Sequence, residues 1–255
     1  MEKKLNELVQ EYWEVEPCGS SPDIVGDLVP LTHEWFEAIE THRYNIEPYI
    51  HSIAQFTRQR GKRVLEIGVG AGTDHLQWAR AGTDLYGVDL TAAGIKTTRA
   101  RLENYNLTSN LQKVDAEVLP FEDNFFDIVY SWGVIHHSEK PEKIIEEILR
   151  VLKKDGQFIG MFYQRPSLVT YKVWVQNALL KAKPWLSLKN VLFNNVESIG
   201  TKAYTINEMK KLFEKYSEVE VIPIMTEYDT RKLPKFITKF LPSSLGWFLA
   251  IRAKV

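Results

Sequence analysis

The sequence has one cysteine, Cys18, in 255 residues. A lone thiol excludes an internal disulfide and any zinc site built on cysteines. Long apolar runs are missing as well: no stretch of about 18 uninterrupted apolar residues exists, which excludes an ordinary spanning helix. The opening MEKKLNELVQEYW has basic residues but no apolar segment of the kind that makes a secretory signal, so a cytoplasmic location is expected. Charge of one sign is also lacking. The formal net charge is −1, which gives no general pull toward nucleic acid. That neutrality covers a gradient, because residues 161–255 are basic and the rest acidic. Solvated lysines on helix faces are the ordinary reading of such a gradient, ahead of an anionic substrate or a membrane surface.

What is present is an alternation. Residues 1–58 read as helical and aromatic-rich, broken by Pro17, Pro22 and Pro30. From there, strand-like RVLEI (63–67), DLYGVDL (84–90), LQKVDA (111–116), FDIVYSWG (126–133) and GQFIGMFY (156–163) are separated by helix-like segments. The best of these, PEKIIEEILRVLKKDG (141–156), places Ile144, Ile145, Ile148, Leu149 and Leu152 on one stripe. Pro141 suits its first turn and Gly156 its stop. Strand–helix alternation at this spacing predicts an α/β, doubly wound parallel sheet with right-handed crossovers. The rhythm breaks over 164–200, resumes as a helix at 204–216, and ends in strands at 219–224 and 246–253 around a second insertion at 226–245. Two regions are therefore expected: a helical N-terminal lid, 1–58, and a main domain, 59–255, with cap insertions at 164–200 and 226–245. Ligands of such sheets lie beyond the C-terminal strand ends.

The first strand runs into VLEIGVGAGTD (64–74), with glycines at 68, 70 and 72. A phosphate loop would end in Gly-Lys-Ser/Thr; here Gly72 is followed by Thr73 and Asp74, which excludes a nucleoside triphosphate. A dinucleotide fingerprint spaces its glycines G-x-G-x-x-G, not G-x-G-x-G. Acidic Glu66 beside the loop suits a ligand with positive charge better than a pyrophosphate.

E-x-G-x-G-x-G, followed by acidic Asp89 at the end of the second strand, resembles the motif of class I S-adenosylmethionine-dependent methyltransferases. The resemblance spans residues 61–163, includes Pro120-Phe121 and the aspartate of FDIVYS, and is closest to the type 11, ubiquinone-biosynthesis-like small-molecule subclass. It implies a Rossmann-like seven-stranded sheet, mostly parallel with an antiparallel last strand, and S-adenosyl-L-methionine as cofactor. Asp89 would then accept the ribose hydroxyls, and Asp115, after the third strand, would meet the adenine amino group. Gly68, Gly70 and Gly72 let the backbone approach the cofactor. Thr73 can offer hydroxyl and N–H groups to the methionine carboxylate. Leu90 and Ala116 would flank the adenine, and Trp132 would wall the methionine arm or sit in the core.

Methyl transfer from a sulfonium is an in-line displacement, so positioning dominates, and an acceptor hydroxyl also needs its proton removed. His136 and His137, just after the fourth strand, are the candidate bases; shaping the loop before Pro141 is the alternative role. Tyr163 and Arg165, past the fifth strand, are candidate substrate contacts. Tyr12, Trp13, Trp35, Arg43 and Tyr44 are candidate lid residues, or simply packing. No metal site is expected, because no ligand-spaced His/Asp/Glu set accompanies the histidine pair in the sequence. The N/D-P-P-Y element of base-methylating DNA enzymes is absent, with Ser131-Trp132-Gly133-Val134 in its place. The expected activity is methyl transfer to a small hydrophobic or anionic molecule, most simply at oxygen, with no nucleic-acid partner. The competing readings are a cofactor-binding partner subunit without turnover and a nicotinamide oxidoreductase. KLPKFITKFLPSSLGWF is basic and amphipathic, but its two prolines argue against one interfacial helix on a membrane.

Overall fold

The computed structural model describes residues 3–15, 17–231 and 233–255. Its centre is one sheet built from β1 (Arg63–Ile67), β2 (Asp84–Asp89), β3 (Asn110–Lys113), β4 (Phe126–Trp132), β5 (Leu152–Gln164), β6 (Ala203–Tyr204), β7 (Glu218–Ile224) and β8 (Phe248–Lys254). The order is β3-β2-β1-β4-β5-β8-β7, with two-residue β6 pairing β5 off that path. Neighbouring pairs from β3 to β5 are parallel, and β8 runs antiparallel to both β5 and β7. This is the expected Rossmann-like α/β arrangement of seven main strands, to which β6 adds a short extra pairing.

Burial on both faces explains the apolar strands. In β4, Val129 faces one core with Ile144, Ile148 and Phe213, while Ile128 and Tyr130 face the other with Ile53, Trp78 and Trp247. The helix Pro141–Val151 fills the first core with Ile144, Ile145, Ile148 and Val151, each worth about 1.5–3 kcal/mol when fully buried. It stops five residues before the Gly156 expected from sequence. The cause is tertiary: the N–H groups of Asn124 and Phe125 take the carbonyls of Arg150 and Val151, and Leu152 turns extended. Lys153, Lys154 and Gly156 therefore belong to β5. The third strand is also shorter than expected, ending at Lys113, so Asp115 and Ala116 lie in the turn beyond it.

The helices Leu5–Val15, Pro22–Val25, His33–Ile46 and Tyr49–Ala54 precede the sheet. His33–Ile46 starts where the Thr32 hydroxyl accepts the Trp35 N–H, and it buries Trp35, Phe36 and Ile39. Residues 164–200 hold the helix Leu168–Trp174, a wider turn at Val175–Leu179, and the helix Leu188–Asn195; residues 226–245 hold short helices at Glu227–Thr230 and Lys235–Thr238. Among the described residues, no helix is long and apolar enough to cross a membrane.

Candidate functional site

The glycine loop leaves β1 in a conformation that only glycine adopts without strain. Gly68, Gly70 and Gly72 have φ of 81°, 52° and 73°. A Cβ on Gly68 would lie 2.3 Å from Cγ2 of Val134, so space as well as φ demands glycine there. The loop is tied to the next strand through Asp89. One carboxylate oxygen accepts the Gly70 N–H at 2.9 Å; the other accepts the Thr91 N–H at 2.8 Å and the Thr91 hydroxyl at 2.6 Å. Asp89 is thus a loop-organising group in its own right, and its Oδ2, bonded only to Gly70, keeps one acceptor position.

A cavity of about 570 Å³ opens above these strand ends. Glu66, Gly68, Gly70, Thr73, Asp89, Leu90, Asp115, Ala116 and Trp132 all line it, as do His137 and Tyr163. Gly72, expected among the cofactor contacts, does not line it; it is the residue before the helix Thr73–Arg80 and packs against Thr98. Asp115 is exposed and accepts hydrogen bonds from Asn6 Nδ2, at 2.9 Å, and from the Glu117 N–H, at 3.0 Å. Trp132 is buried, lines the cavity, and donates its indole N–H to Glu47 at 2.7 Å.

Glu66 is 4% exposed and lies 2.9 Å from Nδ1 of His75, whose Nε2 is 2.9 Å from the Ser109 hydroxyl. That hydroxyl donates to the Leu85 carbonyl, so it accepts from Nε2–H, and Nδ1 is left as an acceptor facing Glu66. Glu66 therefore carries the proton between them. The electrostatics agree. Burial, reinforced by Asp74, holds the Glu66 carboxyl well above its usual range, and burial pushes His75 down to about 3.

Next to Glu66 sits a second buried acid of opposite character. Asp74 accepts from Arg43 at 2.8 Å, Tyr44 at 2.9 Å and Tyr130 at 2.8 Å. Burial would raise its pKa, but the Arg43 charge and these three hydrogen bonds hold it below the usual value. Arg43 lines the cavity between Asp74 and Glu47, the latter 3.6 Å away.

The histidine pair divides. His137 lines the cavity; His136 does not, and is fully buried with both ring nitrogens unpartnered. Its ring lies 4.0 Å from that of Tyr163. Burial, with the nearby charges of His137 and Lys202, keeps His136 neutral far below the normal histidine range. The His136 ring has no route to an acceptor proton in this arrangement. The Tyr163 hydroxyl donates to Glu197, with both carboxylate oxygens at 2.9 Å, and Glu197 Oε2 is 3.2 Å from Nε2 of His137. Arg165, expected at the same mouth, is elsewhere. Its guanidinium pairs with Glu208 and donates to the Ala203 carbonyl at 2.9 Å, in a separate cleft lined by Lys189, Lys202 and Lys211. Pairing of β5 with β6 carries the backbone at Arg165 away from the cavity.

Cys18, Glu47, Asp74 and Glu197 also line the cavity and were not singled out from sequence. Asp74 carried a signal, since it ends the glycine loop. Glu197 carried none, lying sixty positions from His137 in an irregular Asn-Asn-Val-Glu-Ser stretch.

A family model described as "Methyltransferase domain" matches residues 65–160. The demethylmenaquinone methyltransferase of Renibacterium salmoninarum is 29% identical over 124 residues, 49% of this chain and 51% of that protein. A fatty-acid O-methyltransferase of Mycolicibacterium smegmatis is 34% identical over 134 residues, 51% of this chain and 46% of that one. The chain thus spans about half the length of these two relatives. In fold, it is similar to the geranyl diphosphate C-methyltransferase of Streptomyces coelicolor A3(2), solved with Mg2+, geranyl diphosphate and S-adenosyl-L-homocysteine. The TM-score is 0.61 at 14% identity, over 99% of this chain and 97% of that one.

Proposed function

We propose that this chain, which carries a methyltransferase domain of the S-adenosylmethionine-dependent class, transfers the sulfonium methyl of that cofactor to an oxygen of a small, largely apolar acceptor. The observation that carries this reading is continuity. One cavity runs from Glu66, Gly68 and Asp89 at one end to His137, Tyr163 and Glu197 at the other. The first end would hold the cofactor, with Asp89 for its ribose, Leu90 and Ala116 beside its adenine near Asp115, and Thr73 and Trp132 along its methionine arm. The second end is walled by Trp13, Val169, Val173, Tyr228 and Phe248, which fits an apolar body. Its polar point is the His137–Glu197–Tyr163 cluster, where an acceptor hydroxyl docks and gives up its proton as the methyl arrives.

Residues 1–58 serve as the lid in this reading, with 164–200 and 226–245 as the cap. Trp13 and Arg43 come to the cavity from the first region, Val173 and Glu197 from the second, and Tyr228 from the third. Closing such walls excludes water from an in-line displacement.

The test has two parts. Calorimetry should give binding of S-adenosylmethionine and none of NADH. A panel of quinols, phenols, hydroxylated lipids and fatty acids should then yield S-adenosylhomocysteine and an O-methyl product with at least one member. His137→Ala should lower kcat/KM about 100-fold or more while cofactor affinity holds. Cofactor binding without turnover on any class, or a product methylated only at carbon, would overturn the oxygen assignment.

A further inference from the structure

The acceptor end of the cavity contains an unresolved valence. The Thr201 hydroxyl lies 2.7 Å from the Val196 and Ser198 carbonyls and gives its single hydrogen to them, so toward His137 Nδ1, at 3.1 Å, it only accepts. The Ser198 hydroxyl lies 2.9 Å from the same nitrogen. The Thr201 contact favours the tautomer with the ring hydrogen on Nδ1, which leaves the Nε2 lone pair toward Glu197. What it faces is another acceptor, Glu197 Oε2 at 3.2 Å, with no hydrogen bond between them. Beside them His136 contributes a second imidazole, fully buried, with neither nitrogen partnered. Two imidazole lone pairs and a carboxylate converge with nothing of opposite sign between them, and the ligand atoms of all three lie within 4.8 Å of one another.

We propose that His136, His137 and Glu197 form a binding site for a first-row divalent cation of the zinc or ferrous type. Two imidazoles and one carboxylate suit such ions, and bond lengths of about 2.0–2.2 Å set tetrahedral donors about 3.4 Å apart, so donor atoms now up to 4.8 Å from one another would move in by as much as about 1 Å on binding. The surroundings match what metal-binding imidazoles and carboxylates have around them. Ser198 and Thr201 hold the His137 tautomer, and the Tyr163 hydroxyl anchors the Glu197 carboxylate. Glu197 sits at φ 50°, in the left-handed region that a glutamate rarely enters, so the fold holds strain to bring this side chain over the histidines. The ammonium of Lys202 is turned away, onto the Ser138 and Gly200 carbonyls. Because His137 and Glu197 line the cavity, the remaining coordination positions face the acceptor end. An acceptor oxygen would occupy one of them, and the ion would then lower the pKa of that hydroxyl, with His137 serving as ligand and the proton leaving to water. Only this last consequence rests on the function proposed above; ion binding itself does not.

The experiment uses the full chain without acceptor or cofactor. Metal content is measured by elemental mass spectrometry after expression and dialysis, and the chelator-stripped protein is titrated with Zn2+ and with Co2+ as a visible-absorption probe. About one ion per chain is expected, with Co2+ bands showing nitrogen and oxygen ligation. His137→Ala and Glu197→Gln should abolish the bands, and Ser198→Ala should weaken binding by about 10-fold or more. Retained S-adenosylmethionine binding establishes that each variant is folded; Glu197, partly exposed, gives the mildest of these substitutions. Wild-type protein that takes up neither ion, or that binds no better than Glu197→Gln, overturns the site. A metal-loaded protein that methylates nothing would support the site and instead sink the proposed reaction.

Discussion

The two ends of the cavity differ in how they are assembled. At the proposed cofactor end, Glu66, Gly68, Gly70, Thr73 and Asp89 come from one strand–loop–helix–strand run, within which Gly70 is tied to Asp89 and Glu66 to His75. At the acceptor end, Cys18, Arg43, His137, Tyr163 and Glu197 come from four separate regions, and their partners are tertiary. A local unit can be tied together by backbone hydrogen bonds alone. A distributed one depends on whole elements packing correctly, so small changes far away can dissolve it.

Substitutions in each half test that contrast. The largest effect is expected where the halves meet, at Asp74. Asp74→Ala removes the carboxylate shared by Arg43, Tyr44 and Tyr130 and leaves the largely buried Arg43 guanidinium with only the looser Glu47 contact at 3.6 Å, at a cost of about 3–5 kcal/mol in urea unfolding. Its pKa is lowered in the folded state, so its stabilisation is full above the normal carboxylate range and is lost as pH falls through the folded value. A wild-type stability that does not fall on acidification more steeply than that of Asp74→Ala would break this account.

Gly68→Ala comes next, because it meets both an unfavourable φ and the Val134 side chain; a loss of about 3 kcal/mol, roughly 6–12 °C in Tm, is expected by calorimetry. In Asp89→Ala the fold should survive, while S-adenosylmethionine affinity drops about 100-fold in titration calorimetry, since charged hydrogen bonds are worth about 1.5–3 kcal/mol each. Unchanged affinity would remove Asp89 from the cofactor end. Tyr163→Phe should leave cofactor binding intact and lower kcat about 10-fold by releasing the Glu197 carboxylate. Arg165→Ala is the smallest: kcat/KM within about twofold, and under about 1 kcal/mol of stability, as for a pair open to solvent on one side. An acceptor KM that rose sharply in Arg165→Ala would return that arginine to the cavity.

The same contrast explains what the sequence made legible. Strand–helix alternation and the G-x-G-x-G spacing are local patterns, and they identified the sheet and the residues of one cavity end. Element ends were less legible. The helix Pro141–Val151 stops because Asn124 and Phe125 cap it from another part of the chain, which no pattern within 141–156 could reveal. Tyr163 lies inside β5, whereas Arg165 lies just past its end, where its N–H donates to the Tyr204 carbonyl and its guanidinium to the Ala203 carbonyl, so β6 holds it at the other cleft. Glu197 was invisible because its importance lies only in its distance to His137. The histidine pair looked uniform in sequence; both rings are buried, and only their placement against the cavity separates His137, which lines it, from His136, which does not.

The proton on Glu66 has a thermodynamic consequence. The carboxyl is neutral in the free protein because burial disfavours its charge, Asp74 and Asp89 add to that, Arg43 only partly offsets them, and His75 stands as a neutral acceptor. A ligand bringing an ammonium and a sulfonium to that spot favours the ionised form, so its arrival should expel a proton. Affinity for S-adenosylmethionine should then climb with pH until the free-state pKa of Glu66 is passed. The heat of binding should vary with the ionisation enthalpy of the buffer, in proportion to the protons released. In Glu66→Gln both dependences should vanish, and a buffer-independent heat in the wild type would place the cofactor's charges elsewhere. The free protein, on this view, stores a hydrogen ion that the cofactor displaces on entry.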